Sequence, residues 1–225
     1  MPTEVDGSVP EQRILEQSMR LPPEGAVTGW AACRLAGASF FDGIEPDGRS
    51  RIPVPLAIGP RARLRRDAAV VLSRERLDPR EVTVRHGIPC TEIRRALFDE
   101  MRRTPGLREA EVAMDNAAAA ELVSIRRMRA YAAGHPGWKR VGTVHRDLDL
   151  ASERSRSPNE TRMRLMWVLD AGLPAPRVNQ PVWDLAGNPP EPSLDEVLED
   201  RKALWALYAQ WEREDAERAA RRVGS

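Results

Sequence analysis

Lysine is almost missing from this sequence: Lys139 and Lys202 are its only two. Nearly all positive charge is therefore arginine, a bias typical of GC-rich coding, so the abundance of Arg by itself says little about phosphate binding. Cysteine is as scarce. Cys33 and Cys90 lie far apart and outside any CxxC pair, which reads as two buried free thiols, with a disulfide or a catalytic thiol as the alternatives. The histidines His86, His135 and His145 are scattered and neither cysteine has another ligand type beside it, so no structural zinc is expected. Long apolar runs are absent too. None approaches the roughly 20 residues of a membrane-spanning helix, and the N-terminus lacks the basic and apolar regions of a secretory signal. A cytoplasmic protein with no membrane partner is the expectation. A net charge of +1 leaves no molecule-wide field to draw the chain onto DNA or an anionic bilayer.

Catalytic fingerprints are missing as well. There is no phosphate-binding Gly-rich loop, no dinucleotide fingerprint and no GxSxG elbow. His145-Arg146-Asp147-Leu148 matches the catalytic-loop tetrapeptide of protein kinases, but its surroundings are helical and no DFG follows. The match reads as chance, with Asp147 and Asp149 on a solvated face.

What is present is an ordinary globular composition, 41% hydrophobic and 31% charged. Its 225 residues are enough for one large domain or two small ones. Residues 1–24 read as a leader carrying a short helix over 11–21, stopped by Pro22-Pro23. Residues 25–150 form a domain that starts with a buried helix over 27–35. Residues 52–58 contain Pro53 and Pro55 and should be an edge or irregular strand. A strand over 68–73 and a hairpin around His86-Gly87 complete a small β portion. Helices follow: one N-capped by Thr91, one over 107–122, one capped by Ser124 and ended by Gly134, and one over 138–150. They suit a small bundle attached to the strands.

The polar residues 151–156 are the best domain boundary. Ser157-Pro158-Asn159-Glu160 then combines an N-cap, a proline at the first helical position and a capping-box Glu. Met163, Leu165, Met166 and Leu169 give that helix its apolar residues, Gly172 stops it, and a strand over 179–185 closes the segment 157–188. Residues 191–225 read as one long amphipathic helix with Leu198, Trp205, Tyr208 and Trp211 along its apolar stripe. That stripe either packs on the chain's own body or meets a partner or a second copy. The fold class expected is α+β, mostly α.

Two basic clusters are candidates for nucleic-acid contact. Arg61, Arg63, Arg65 and Arg66 precede a strand, and Arg126, Arg127 and Arg129 share a helix. Guanidinium groups so spaced can grip phosphates in bidentate fashion; the alternative is a solvated surface in an Arg-biased chain. No aromatic residue interleaves with Arg61–Arg66 to stack on bases.

Three stretches, residues 28–43 (TGWAACRLAGASFFDG), 65–99 (including EVTVRHGIPCTEIRRALFD) and 157–188 (SPNETRMRLMWVLDAGLPAPRVNQPVWDLAGN), have a familiar order. They resemble actinobacterial AbiEi-type antitoxins of type IV toxin–antitoxin systems, over roughly residues 25–188. Many of those proteins carry a C-terminal domain similar to the very-short-patch-repair endonuclease. The resemblance implies that Glu160 and Arg164 match that domain's first helix, and that Val182, Asp184 and Gly187 match its following strand. Further acidic strands would then complete a Mg²⁺ site for phosphodiester cleavage. Here the chain continues instead as PPEPSLDEVLEDRKALWALYAQWERED, a helical pattern. The winged-helix DNA-binding module that opens such antitoxins is also expected to be lacking.

Three readings follow. The first is a non-catalytic antitoxin-like regulatory or interaction protein with a degenerate nuclease-like C-terminus, needing no cofactor. The second is a DNA-binding protein using the Arg clusters. The third is a Mg²⁺-dependent endonuclease with Glu160 and Asp184 as catalytic carboxylates.

Overall fold

A computed structural model describes residues 9–65, 67–104 and 107–179. These lie in a compact unit ending at Asn179; a second unit, residues 180–225, falls outside the described residues. Arg66, Asp184, and the stripe of Leu198, Trp205, Tyr208 and Trp211 therefore lie outside them too, as does the strand expected over 179–185 beyond Asn179.

The architecture is α+β and mostly helical. Helix α1 (Pro10–Ser18) leads to strand β1 (Ala26–Val27) and helix α2 (Gly29–Leu35), and then to β2 (Val54–Ala57) and β3 (Val70–Ser73). The hairpin β4 (Val82–Arg85) and β5 (Ile88–Thr91) follows. Five helices come after it: α3 (Ile93–Arg103), α4 (Leu107–Ala119), α5 (Ile125–Ala133), α6 (Val141–Leu150) and α7 (Pro158–Leu165). A π-helical turn, Met166–Asp170, extends α7.

The strands form one mixed sheet in the order β3-β2-β1-β5-β4. The hairpin turns at His86 (φ 50°) and Gly87 (φ 78°), the paired positive φ of a type I′ connection. β2 differs from expectation, since it is interior, paired antiparallel to β1 and parallel to β3. The reason lies in where its prolines fall. The Val54 N–H points to β3 and donates to the Ala69 carbonyl, so Pro55 faces β1. There it needs no N–H: the Thr28 carbonyl opposite is already taken by the Ala32 N–H of α2, while the Pro55 carbonyl accepts from Thr28.

Two caps also fall differently. Thr91 ends β5 and its hydroxyl donates to Thr28, leaving Glu92 to cap α3 through the Arg94 N–H. α6 starts only at Val141, with Arg140 in the left-handed region (φ 63°) before it.

α2 packs on α3, α3 on α4, and α4 on both α6 and α7. Trp30, Phe98, Leu97, Met101, Met114, Met128 and Leu148 form the buried centre. Gly43 (φ 71°) is needed against it, because a Cβ there would stand 2.4 Å from the Trp30 ring. Cys33 and Cys90 are both buried free thiols, and burial pushes Cys90 up to about 11. No helix among the described residues is long and apolar enough to cross a membrane.

Candidate functional site

The carboxylate of Glu160 is occupied by helix capping. The Ser157 hydroxyl accepts the Glu160 N–H at 3.3 Å, while the Glu160 carboxylate accepts from the Arg156 N–H at 3.0 Å and from the Asn179 side chain at 2.8 Å. The Arg156 N–H, helped by Asn179 and Ser157 and opposed by burial, holds the carboxyl below its ordinary range. Arg164 turns inward. Its guanidinium donates to Asp115 of α4 at 2.8 Å and to the Leu150 carbonyl at 2.5 Å. Asp115 is fully buried and also accepts from the Thr161 hydroxyl and the Ser152 N–H. Arg164 thus anchors α7 on α4, whereas Glu160 bonds only within its own segment, residues 156–179. Among the described residues no group of three His, Cys, Asp or Glu side chains is placed to hold a metal; Asp184, which the resemblance adds to Glu160, lies outside them.

The basic clusters separate in space. Ala62 and Leu64 pack against the core, while Arg61, Arg63 and Arg65 are exposed. On α5, Arg126, Arg127 and Arg129 are exposed, but Arg129 is spent on Asp149 at 2.7 Å and on the Leu148 carbonyl.

Beneath the C-terminal ends of β2 and β3 lies a network that was not singled out from sequence. Asp99 of α3 receives Arg95 (3.0 Å), Arg102 (2.6 Å) and the Thr28 hydroxyl (2.8 Å). Arg102 forks onto Glu75 at 2.6 and 2.8 Å, and Arg95 reaches Glu81 at 3.0 Å. Both guanidiniums lie over the Trp138 indole, 4.3 and 4.9 Å from its centroid. Burial works against these two charges, but Asp99 with Glu81 or Glu75 more than offsets it and holds both arginines above their ordinary values. Next to it Glu100 caps α2, accepting the Trp30 N–H at 2.9 Å while pairing with Arg103 at 2.5 Å. The spacing of Arg95, Asp99 and Arg102, four and three apart, was the available signal.

Over this network opens a cleft of about 480 Å³, walled by Pro55, Val71 and Leu72 and rimmed by Arg74, Lys139 and Arg140.

A second electrostatic feature lies between α4 and α6. Glu111 and Asp147 are both fully buried, and none of their four carboxylate oxygens finds a hydrogen-bond partner among the described residues. Asp147 is therefore not on a solvated face, because α6 turns it inward beside Val144 and Leu148. Burial, then Asp147, raises Glu111 to about 8 against the opposing charges of Arg164 and Arg108; burial raises Asp147 to about 6.

The outer side of α7 and its π-helical turn is apolar. Met163 is 67% exposed, and Met166, Trp167, Leu169 and Leu173 are each at least 40% exposed. Only Leu165 of this helix's apolar residues is buried in the body.

No model of a protein family, no curated protein and no solved structure matches the chain.

Proposed function

We propose that the chain is a non-catalytic, antitoxin-like interaction protein. The observation that carries this reading is the set of exposed apolar side chains Met163, Met166, Trp167 and Leu169 on α7 and its π-helical turn, with Leu173 just beyond, on a helix whose Glu160 and Arg164 serve as cap and anchor. A group of exposed apolar side chains of this kind marks an interaction surface, and the Glu160 carboxylate already serves the Arg156 N–H and Asn179. The resemblance to antitoxins supplies the functional class.

The test joins two measurements on the full chain. Duplex DNA with Mg²⁺ should remain uncut by wild type and by Glu160→Ala alike. Sedimentation velocity across the micromolar range should show association that Met163→Glu with Trp167→Glu weakens at least tenfold. Cleavage that Glu160→Ala abolishes, or association indifferent to the double substitution, overturns the reading.

A second reading, DNA binding, is favoured by one observation: Arg61, Arg63 and Arg65 are exposed while the residues between them are partly buried. That row suits successive phosphates without reading bases.

A further inference from the structure

The cleft over α3 has an uneven charge balance. Its three carboxylates are paired from within the fold: Asp99 with Arg95 (which Glu81 shares) and Arg102, Glu75 with Arg102, and Glu100 with Arg103. At the rim the situation is reversed. Arg74, Lys139 and Arg140 are exposed and none forms a close ion pair with a carboxylate of a described residue, although the Lys139 charge is felt at Glu75 and that of Arg140 at Asp147. Two of them are nevertheless held in place. Arg74 donates to the Ala62 carbonyl at 2.8 Å, and Arg140 donates to the Thr104 carbonyl at 3.1 Å near the end of α3. A guanidinium has five N–H donors, so each retains capacity for a ligand.

We propose that this cleft binds a small phosphate-bearing ligand of nucleotide size. The phosphates lie among Arg74, Lys139 and Arg140, and the less polar part rests on Pro55, Val71 and Leu72. Three features carry the assignment. The volume falls within the roughly 300–1,000 Å³ of small-molecule sites. The wall beside the cations is apolar, which suits an organic phosphate ester. The carboxylates of the floor already have arginine partners, so the three cations at the mouth are the groups left to meet an incoming charge. Fork-shaped guanidiniums recognise phosphate oxygens through charge-assisted hydrogen bonds. This site is independent of the α7 face and of the proposed interaction function.

Calorimetric titration of the full chain at low ionic strength tests it, with ADP, pyrophosphate and adenosine as probes. ADP and pyrophosphate should bind saturably at one site and compete with each other, while adenosine does not compete. ADP should bind more tightly than pyrophosphate through the apolar wall; comparable affinities would overturn the placement of an organic part on Pro55, Val71 and Leu72. Arg74→Ala and Lys139→Ala should each weaken ADP about tenfold, the loss of one charge-assisted contact, with unchanged thermal midpoints without ligand. Arg80→Ala, exposed and outside the cleft, should bind as wild type does. Absence of saturable binding, adenosine binding equal to ADP, or equal losses in Arg80→Ala and Lys139→Ala would each overturn the proposal.

Discussion

At the residue scale, Glu111 and Asp147 set the protein's response to pH. An unpartnered buried carboxylate is costly when ionised, so each keeps its proton to a higher pH in the fold than in the unfolded chain. For Glu111 that window runs from the ordinary 4.5 to about 8, and for Asp147 from 3.8 to about 6. Within these windows the folded state binds protons that the unfolded state has released, so stability falls as pH rises. Asp115, Arg108 and Arg164 face Glu111 as well, and Arg140 and Arg146 act on Asp147, so the pair titrates as part of a group. Glu111→Gln should raise stability at pH 8 by on the order of a few kcal/mol and flatten the profile between pH 5 and 8 in urea unfolding. An unchanged profile would place the proton elsewhere. The Asp99 carboxylate, unlike these two, is paired with buried cations, Arg95 and Arg102. Asp99→Ala leaves Arg95 and Arg102 buried beside a vacancy and should cost about 3–5 kcal/mol, read from the same unfolding curves at pH 7.

At the scale of elements, local chemistry was readable wherever a side chain acts on its own backbone. Ser157 and Ser124 cap the helices expected of them, and His86-Gly87 turns the hairpin. Ser157→Ala should therefore lower stability by about 1 kcal/mol, with no compensating partner for the Glu160 N–H; a thermal melt that does not move would show the cap to be idle. Gly43→Ala should destabilise as well, since its Cβ meets the Trp30 ring and its φ is positive. Other elements resist local reading because the deciding atom is remote in sequence. Pro55 marks an edge strand by every local rule, yet β2 is interior because the Ala32 N–H has claimed the facing carbonyl. Thr91 has the chemistry of a cap but lies within hydrogen-bond reach of Thr28, 63 residues away. Glu160 closes its box one residue early, on the Arg156 N–H.

At the scale of the molecule, the row of Arg61, Arg63 and Arg65 makes the DNA-binding reading quantitative. If it tracks a duplex backbone, the slope of log K against log salt should fall by about 0.9 for each Arg→Ala substitution in the row, measured by fluorescence anisotropy on a labelled duplex. Substitution of Arg129, already committed to Asp149, should change it far less. The sequence by itself determined the α+β class, the hairpin, the capped helix at Ser157 and the two buried thiols, because periodicity, turn chemistry and capping act over a few residues. Only the tertiary structure decided which charges are exposed and which are committed. Arg61 and Arg95 are the same residue type in an Arg-biased chain, yet one faces solvent and the other is buried against Asp99 and Glu81. Asp147 and Asp149 are two residues apart on one helix, yet only Asp149 is exposed. Burial and pairing depend on what the chain brings from far along its length, and those partners set the charge left over at the cleft.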